Sequence, residues 1–192
     1  SVSNVSTIQG NINNSGTLSG GLNGISILSG STVGGIQNSG SISGDNNGLN
    51  ISSSTINGSI SNSGTISGGA TGINISSGTV SGGISNSGTI QGDIFAIHIT
   101  SGGVSNIDIL GQNARSIGGV DAPNTSVNIT NGAIFTSEGS FNVDNFNISS
   151  NALFNMANTI TAATAVNNAG TLAATNLQVI TGNYAQQTGG IF

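Results

Sequence analysis

The chain contains no cysteine, no tryptophan and no lysine, and only one arginine, one histidine and one proline in 192 residues. Without thiols there is no disulfide framework and no thiolate metal site. Arg115 is the only side-chain cation, so nothing can neutralise a row of phosphates and nucleic acid is excluded as a partner. Charged residues make up 4% of the chain, against roughly 25% in an ordinary globular domain. The net charge of −5 is small and selects no class of partner. No apolar run approaches the ~20 residues of a membrane-crossing helix. The residues that favour helices give way to Gly, Asn, Ser, Thr and Ile, which are poorer helix formers. Collagen is excluded because proline is nearly absent and glycine does not recur at every third position.

Four small residue types dominate what is present. Gly, Ser, Asn and Thr account for 110 of the 192 residues. A flexible linker has that composition, but a linker lacks regularly spaced aliphatic residues. Here 34% of the chain is hydrophobic, with 26 isoleucines, and these are spaced. Asn14-Ser15-Gly16-Thr17-Leu18-Ser19-Gly20 returns at 38–44, 62–68 and, with Gln91 for serine, at 86–92, a constant 24-residue period. Leu49-Asn50-Ile51, Ile73-Asn74-Ile75 and Ile97-His98-Ile99 keep the same step, preceded by Ile25-Ser26-Ile27. A third element, around Val33, Ile56 and Val80, is followed by Ile36, Ile60 and Ile84 and slips by one position near Val33.

Each repeat thus holds three segments in which Ile, Leu or Val alternates with small polar residues, the pattern of half-buried strands. Three short strands in each 24-residue repeat predict an all-β, right-handed parallel β-helix. Its turns bury their apolar faces only by stacking. Eight turns at ~4.8 Å would make a rod of roughly 38 Å. The expected organisation is one β-helix over 1–192, with regular repeats over 1–110 and diverged turns with an aromatic core over 111–192. Gly and Asn are expected at the bends, because both accept positive φ. Asn14, Asn38, Asn62 and Asn86 fall at one position and are expected to form a ladder of amides bonded from turn to turn.

After Gly92 the period decays. Ile107-Asp108-Ile109 reads as out of register. Ser126–Phe135 aligns with Asn145–Phe154 at a step shorter than the period. Asn168-Ala169-Gly170-Thr171-Leu172 restates the corner, and 176–182 restates the strand after it. All six Phe and the one Tyr lie at or beyond Phe95, so the core is expected to turn partly aromatic. The stretch 112–124, with Arg115 and Pro123, is the candidate for a protruding loop or irregular turn.

Chemistry has little to work with. The carboxylates are Asp45, Asp93, Asp108, Asp121, Glu138 and Asp144. Asp45 and Asp93 occupy one corner two turns apart, with Gly69 between them, on the order of 10 Å along the rod. Asp121 and Asp144 stand almost one period apart and are the one candidate pair on neighbouring turns, without a nucleophile or cation nearby in sequence. His98 takes the slot of Asn50 and Asn74 and is expected on the surface. No second histidine exists to complete a metal site, and no cofactor is indicated. The outward residues Thr17, Ser19, Ser41, Ser43, Thr65, Ser67, Thr89 and Gln91 are expected to stack into a flat hydroxyl stripe. That stripe reads either as a neutral solvated face, as a self-association surface, or as an ice-binding face.

The Asn-Ser-Gly-Thr-Ile-x-Gly corners, together with Val179-Ile180-Thr181-Gly182-Asn183-Tyr184-Ala185-Gln186-Gln187-Thr188-Gly189-Gly190-Ile191, resemble the passenger domains of Gram-negative autotransporters. The terminal stretch is similar to the Gly-Asn-Tyr-x-Gln-x-x-Gly-Gly segment near the C-terminal end of many passengers. The resemblance implies a fragment of a longer protein, with a signal peptide before Ser1 and a translocating β-barrel after Phe192. Membrane contact would come only through that barrel. It implies display on the outer-membrane surface and a non-enzymatic adhesin that self-associates or meets a host-surface or glycan receptor. The alternatives are a passive stalk that presents a distal domain and, beyond it, an ice-binding solenoid or a polysaccharide-active enzyme.

Overall fold

The computed structural model describes residues 1–174 and 177–192. Asn176, which opens the strand expected after the last corner, lies outside the described residues. The described residues contain strands, turns and bends but no helix. Every strand pairing among them is parallel, so each strand bonds not to its chain neighbour but to its equivalent one turn away.

Three strand stacks make up the solenoid. The corner stack begins with Thr17–Gly20, Ser41–Gly44 and Thr65–Gly68. The Ile-x-Ile stack begins with Asn23–Leu28 and Asn47–Ser52. The ladder stack begins with Thr7–Asn14 and Thr32–Asn38. Alternation decides which side chains enter: Ile27, Ile51, Ile75, Ile36, Ile60, Ile42, Ile66 and Ile90 are fully buried in one column of aliphatic groups. Burying each such side chain contributes on the order of 1.5–3 kcal/mol, which offsets the entropy of ordering a glycine-rich chain.

The ladder stack gives the turn count. Its register runs Asn14, Asn38, Asn62, Asn86, Ile109, Ile129, Ile148, Asn168, eight stacked strands separated by seven steps, and Gln186 adds a ninth strand. The steps from Asn14 to Asn86 are each 24. Farther along, the stacked outward residues Asp108, Asn128, Asn147 and Asn167 follow at steps of only 20, 19 and 20. The turns thus keep the 24-residue step where regular repeats were expected and shorten where diverged turns were, in a β-solenoid of about seven turns against the eight expected. Ile107-Asp108-Ile109 is in register after all: it stacks on Ile84-Ser85-Asn86 in the ladder stack. The slip near Val33 is real, since Val33 stacks on Ile56 while Ile36 stacks on Ile60.

Two further expectations need correction. The stretch 112–124 is not a loop. Arg115–Ala122 is a strand, Arg115 stacks on Thr89, and Ser116, Val120 and Ala122 point inward and are buried. The bends flanking it are irregular, and the strand itself shifts register against its neighbour around Gly118, whose φ is 96°. The expectation for the bends, moreover, needs widening: glycine and asparagine do take positive φ, as at Gly30, Gly132, Asn4 and Asn151, but so does serine. Ser29, Ser53 and Ser77 recur one period apart with φ of 60°, 50° and 54°. The corner glycines answer a different need, which is space. A Cβ on Gly40, Gly64 or Gly88 would collide with the carbonyl oxygen of the glycine one turn below.

In the shortened turns the core does become aromatic. Phe135, Phe141, Phe146 and Phe154 are buried with ring centroids 4.9 to 6.4 Å apart. Ala122, Ala133, Ala152 and Ala162 share these turns, large beside small, so the narrower section still fills. One core position is anomalous. Ser116 replaces isoleucine directly above Ile90, and its hydroxyl is buried without a hydrogen-bond partner. Ser116→Ala removes a stranded polar group, so it is expected to stabilise by about 1 kcal/mol, read as a higher denaturation midpoint.

Candidate interaction surfaces

The expected asparagine ladder is present and lies inside. Asn14 Nδ2 donates to Asn38 Oδ1 at 2.8 Å, Asn38 to Asn62 at 2.8 Å, and Asn62 to Asn86 at 2.9 Å. All four residues are buried. Each of the first three also donates to the carbonyl two positions on and to one in the next turn, as Asn62 does to Gly64 and Thr89. The amide thus fastens the bend between ladder and corner stacks to its neighbour. Asn86 ends the series by donating to the Arg115 carbonyl. Asn168 resumes the column after three isoleucines, fully buried and donating to the Ile191 carbonyl. The ladder's donors are used internally, and Asn14 and Asn38 reach the surface only at the base of a groove.

The hydroxyl stripe forms in register: Thr17, Ser41, Thr65 and Thr89 stack, as do Ser19, Ser43, Ser67 and Gln91. The side chains between them, Leu18, Ile42, Ile66 and Ile90, point inward, and all but Leu18 are buried. The stripe ends where Arg115 stacks on Thr89 and Ile117 on Gln91. Beside it the sequence reading missed a second surface. Asn13, Gln37 and Ser61 on one wall and Ser15, Ser39 and Ser63 on the other line a groove of about 430 Å³ without a single charge. Their regular spacing was available as a signal. What it did not reveal was that the bend is concave.

The scarce charged groups are dispersed. Asp45 and Asp93 are exposed, and Gly69 stacks between them. Asp121 and Asp144 do not form a pair. Asp121 accepts from Asn142 at 2.7 Å and lies 3.5 Å from His98 Nε2, whereas Asp144 accepts from Thr164 and Asn145. The register explains the miss: Asp121 stacks on Asn142, because the local turn has shortened while the spacing of the two carboxylates suits the older, longer period. His98 is outward and half-buried, with its ring parallel to that of Phe95 at 4.5 Å. Asp108 accepts from Asn128 at 2.7 Å, which begins an outer amide ladder through Asn147 and Asn167. Arg115 and Glu138 form a two-pronged pair, Nε to Oε1 and Nη2 to Oε2, both 2.8 Å. Those hydrogen bonds, then the carboxylate's charge, raise the arginine pKa above its ordinary value. Among the described residues no three His, Cys, Asp or Glu side chains gather as metal ligands, and no helix is long and apolar enough to cross a membrane.

Neither a protein-family model, nor a curated protein, nor a solved structure matches the chain. Its surfaces must therefore be read from their own chemistry. The arrangement suits weak, neutral, repeated contact: stacked hydroxyls and amides at strand spacing, with charge kept to the margins.

Proposed function

We propose that the chain is a non-enzymatic, surface-displayed adhesive β-helix of the autotransporter-passenger kind, acting by self-association on the outside of a Gram-negative cell. The observation that carries the reading is the uncharged hydroxyl stripe over the first four turns, lying beside the uncharged groove of the first three. Two copies can meet there without stripping water from any ion, the costliest part of burying polar surface. Four turns at ~4.8 Å make a patch about 19 Å long. Such a patch falls short of the ~800 Å² per partner of a stable complex. Each contact is accordingly weak, and adhesion arises when many copies engage together.

The test is sedimentation velocity of the chain over a wide concentration range, with Ser41→Arg/Thr65→Arg as the variant. The unchanged chain is expected to self-associate weakly, and the variant at least ten-fold more weakly, because like charges then face each other across the contact. A chain that stays monomeric at all concentrations, and whose display does not clump cells, overturns self-association and leaves the passive stalk.

A further inference from the structure

A different surface, on the Ile-x-Ile stack where the 24-residue period breaks, has the form of a binding site. A groove of about 540 Å³ opens there, with Ile94 and Phe95 on one side and Asp121, Asn142 and Thr161 on the other. Sites for small ligands usually enclose roughly 300–1,000 Å³ and combine apolar walls with a few polar groups. In the turns below, Asn23, Asn47 and Thr71 fill the column that Phe95 enters. Above Phe95 the column is emptied, since Gly119 stacks on it, and Gly118 and Gly139 continue the bare backbone floor.

Both walls are held before any ligand arrives, and His98 joins them. Its ring stacks on Phe95 at 4.5 Å with 13° between planes, while its Nε2 lies 3.5 Å from Asp121 Oδ2. Asn142 donates to the other oxygen of Asp121 at 2.7 Å. Asp121, Asn142 and Thr161 follow one another in a single outward column, with Cα atoms in register. The result is an apolar wall with Ile94 60% exposed, beside a row of acceptors and donors and a floor in which Gly118, Gly119 and Gly139 leave space and the small Ser140 is the exposed side chain. Fixed walls reduce the ordering cost of binding.

The chemistry narrows the occupant. A carboxylate on the rim and no cation in the groove disfavour anions, and Arg115 is committed to Glu138. One carboxylate is too few for a calcium site, which takes six to eight oxygens. A peptide adding as a strand needs free backbone groups, but Gly118 N–H already donates to Glu138 O and Val120 N–H to Ser140 O. A sugar ring meets every requirement. Its C–H face packs on Phe95 and Ile94, and its hydroxyls, each both donor and acceptor, bond to Asp121 and Asn142. We propose that the groove between Phe95 and Asp121 binds a neutral saccharide. The proposal does not depend on the hydroxyl stripe, which lies on another stack.

The experiment is a binding screen of the whole chain against immobilised oligosaccharides of neutral hexoses and N-acetylhexosamines, with sialylated and sulfated ones alongside. Calorimetry with the best neutral binder follows. Neutral members are expected to bind, and Phe95→Ala and Asp121→Ala each to weaken binding at least ten-fold with unchanged circular dichroism. Gly119→Leu, which fills the floor from a position whose Cβ would stand 3.3 Å from the Phe95 ring, is expected to abolish it. Ser41→Arg/Thr65→Arg should bind sugar normally, which separates this site from the self-association surface. Binding of no neutral saccharide, binding of charged members only, or binding indifferent to all three groove variants would overturn the proposal.

Discussion

Gly64→Ala is expected to break the stack at its third turn. Gly64 lies directly over Gly40, and an added Cβ would fall well inside contact distance of the Gly40 carbonyl oxygen and also crowd Ser39 O at 2.8 Å. Both obstacles are backbone, so no side chain can rotate away. Relief requires two turns to separate, and separation breaks the parallel ladder on both sides of the bend. The cost should be about 4 kcal/mol or more, in the range reached by few single substitutions. Gly16 supplies the control. It stands in the same Asn-Ser-Gly-Thr motif, but nothing lies within 4 Å of its added Cβ, so Gly16→Ala should be nearly neutral. Guanidinium denaturation of the two variants checks this, and equal midpoints would refute the close-stacking account.

Asn62→Ala is the second large effect. The substitution removes two N–H donors that are shared among Gly64 O, Asn86 Oδ1 and Thr89 O, and takes from Asn38 its acceptor at 2.8 Å. The two Asn–Asn bonds are buried, and water cannot replace the missing partner of Asn38 or of Asn86. Each polar group left unpaired costs ~1–3 kcal/mol, so a total of about 3 kcal/mol or more is expected. Asn74 makes a formally similar bond to Asn50 at 2.8 Å, but on the half-exposed outer face. There water takes over the freed groups, and Asn74→Ala should stay within about 0.5 kcal/mol. If thermal melts place both variants together, burial is not what gives the inner ladder its value.

The contrast between these ladders shows where sequence reading reaches its limit. Asn14, Asn38, Asn62 and Asn86 were legible because identical turn lengths bring identical residues into contact, so counting along the chain amounts to measuring distance. Once the turns shorten beyond Asp108, counting no longer measures distance. Asp144 then counts as a neighbour of Asp121, yet Asn142 takes that place. Arg115, Gly118, Gly119 and Pro123 look like loop punctuation, yet the first three lie within a strand. Ile109, Ile129 and Ile148 enter the asparagine column without any local mark, since an isoleucine in a strand looks the same whatever column it joins. The saccharide groove was illegible for a related reason. It consists of side chains missing from Gly118, Gly119 and Gly139, and an absence becomes a site only when its neighbours are known.

The two kinds of amide ladder run in opposite senses. Inside, each asparagine donates towards the C-terminal end, as Asn38 does to Asn62; outside, each donates towards the N-terminal end, as Asn147 does to Asn128 and Asn128 to Asp108. Asp108 fixes the outer sense, because an ionised carboxylate only accepts. The edge of a finished turn therefore carries a two-letter code, an N–H where the column is internal and an oxygen where it is external. A newly arriving turn can satisfy both letters in one alignment only. A slip by a single position would offer an apolar group to the outer column, Val127 or Ile129 in place of Asn128, and a shorter serine to the inner one, Ser61 or Ser63 in place of Asn62. Each turn thus serves as the template that proofreads the next.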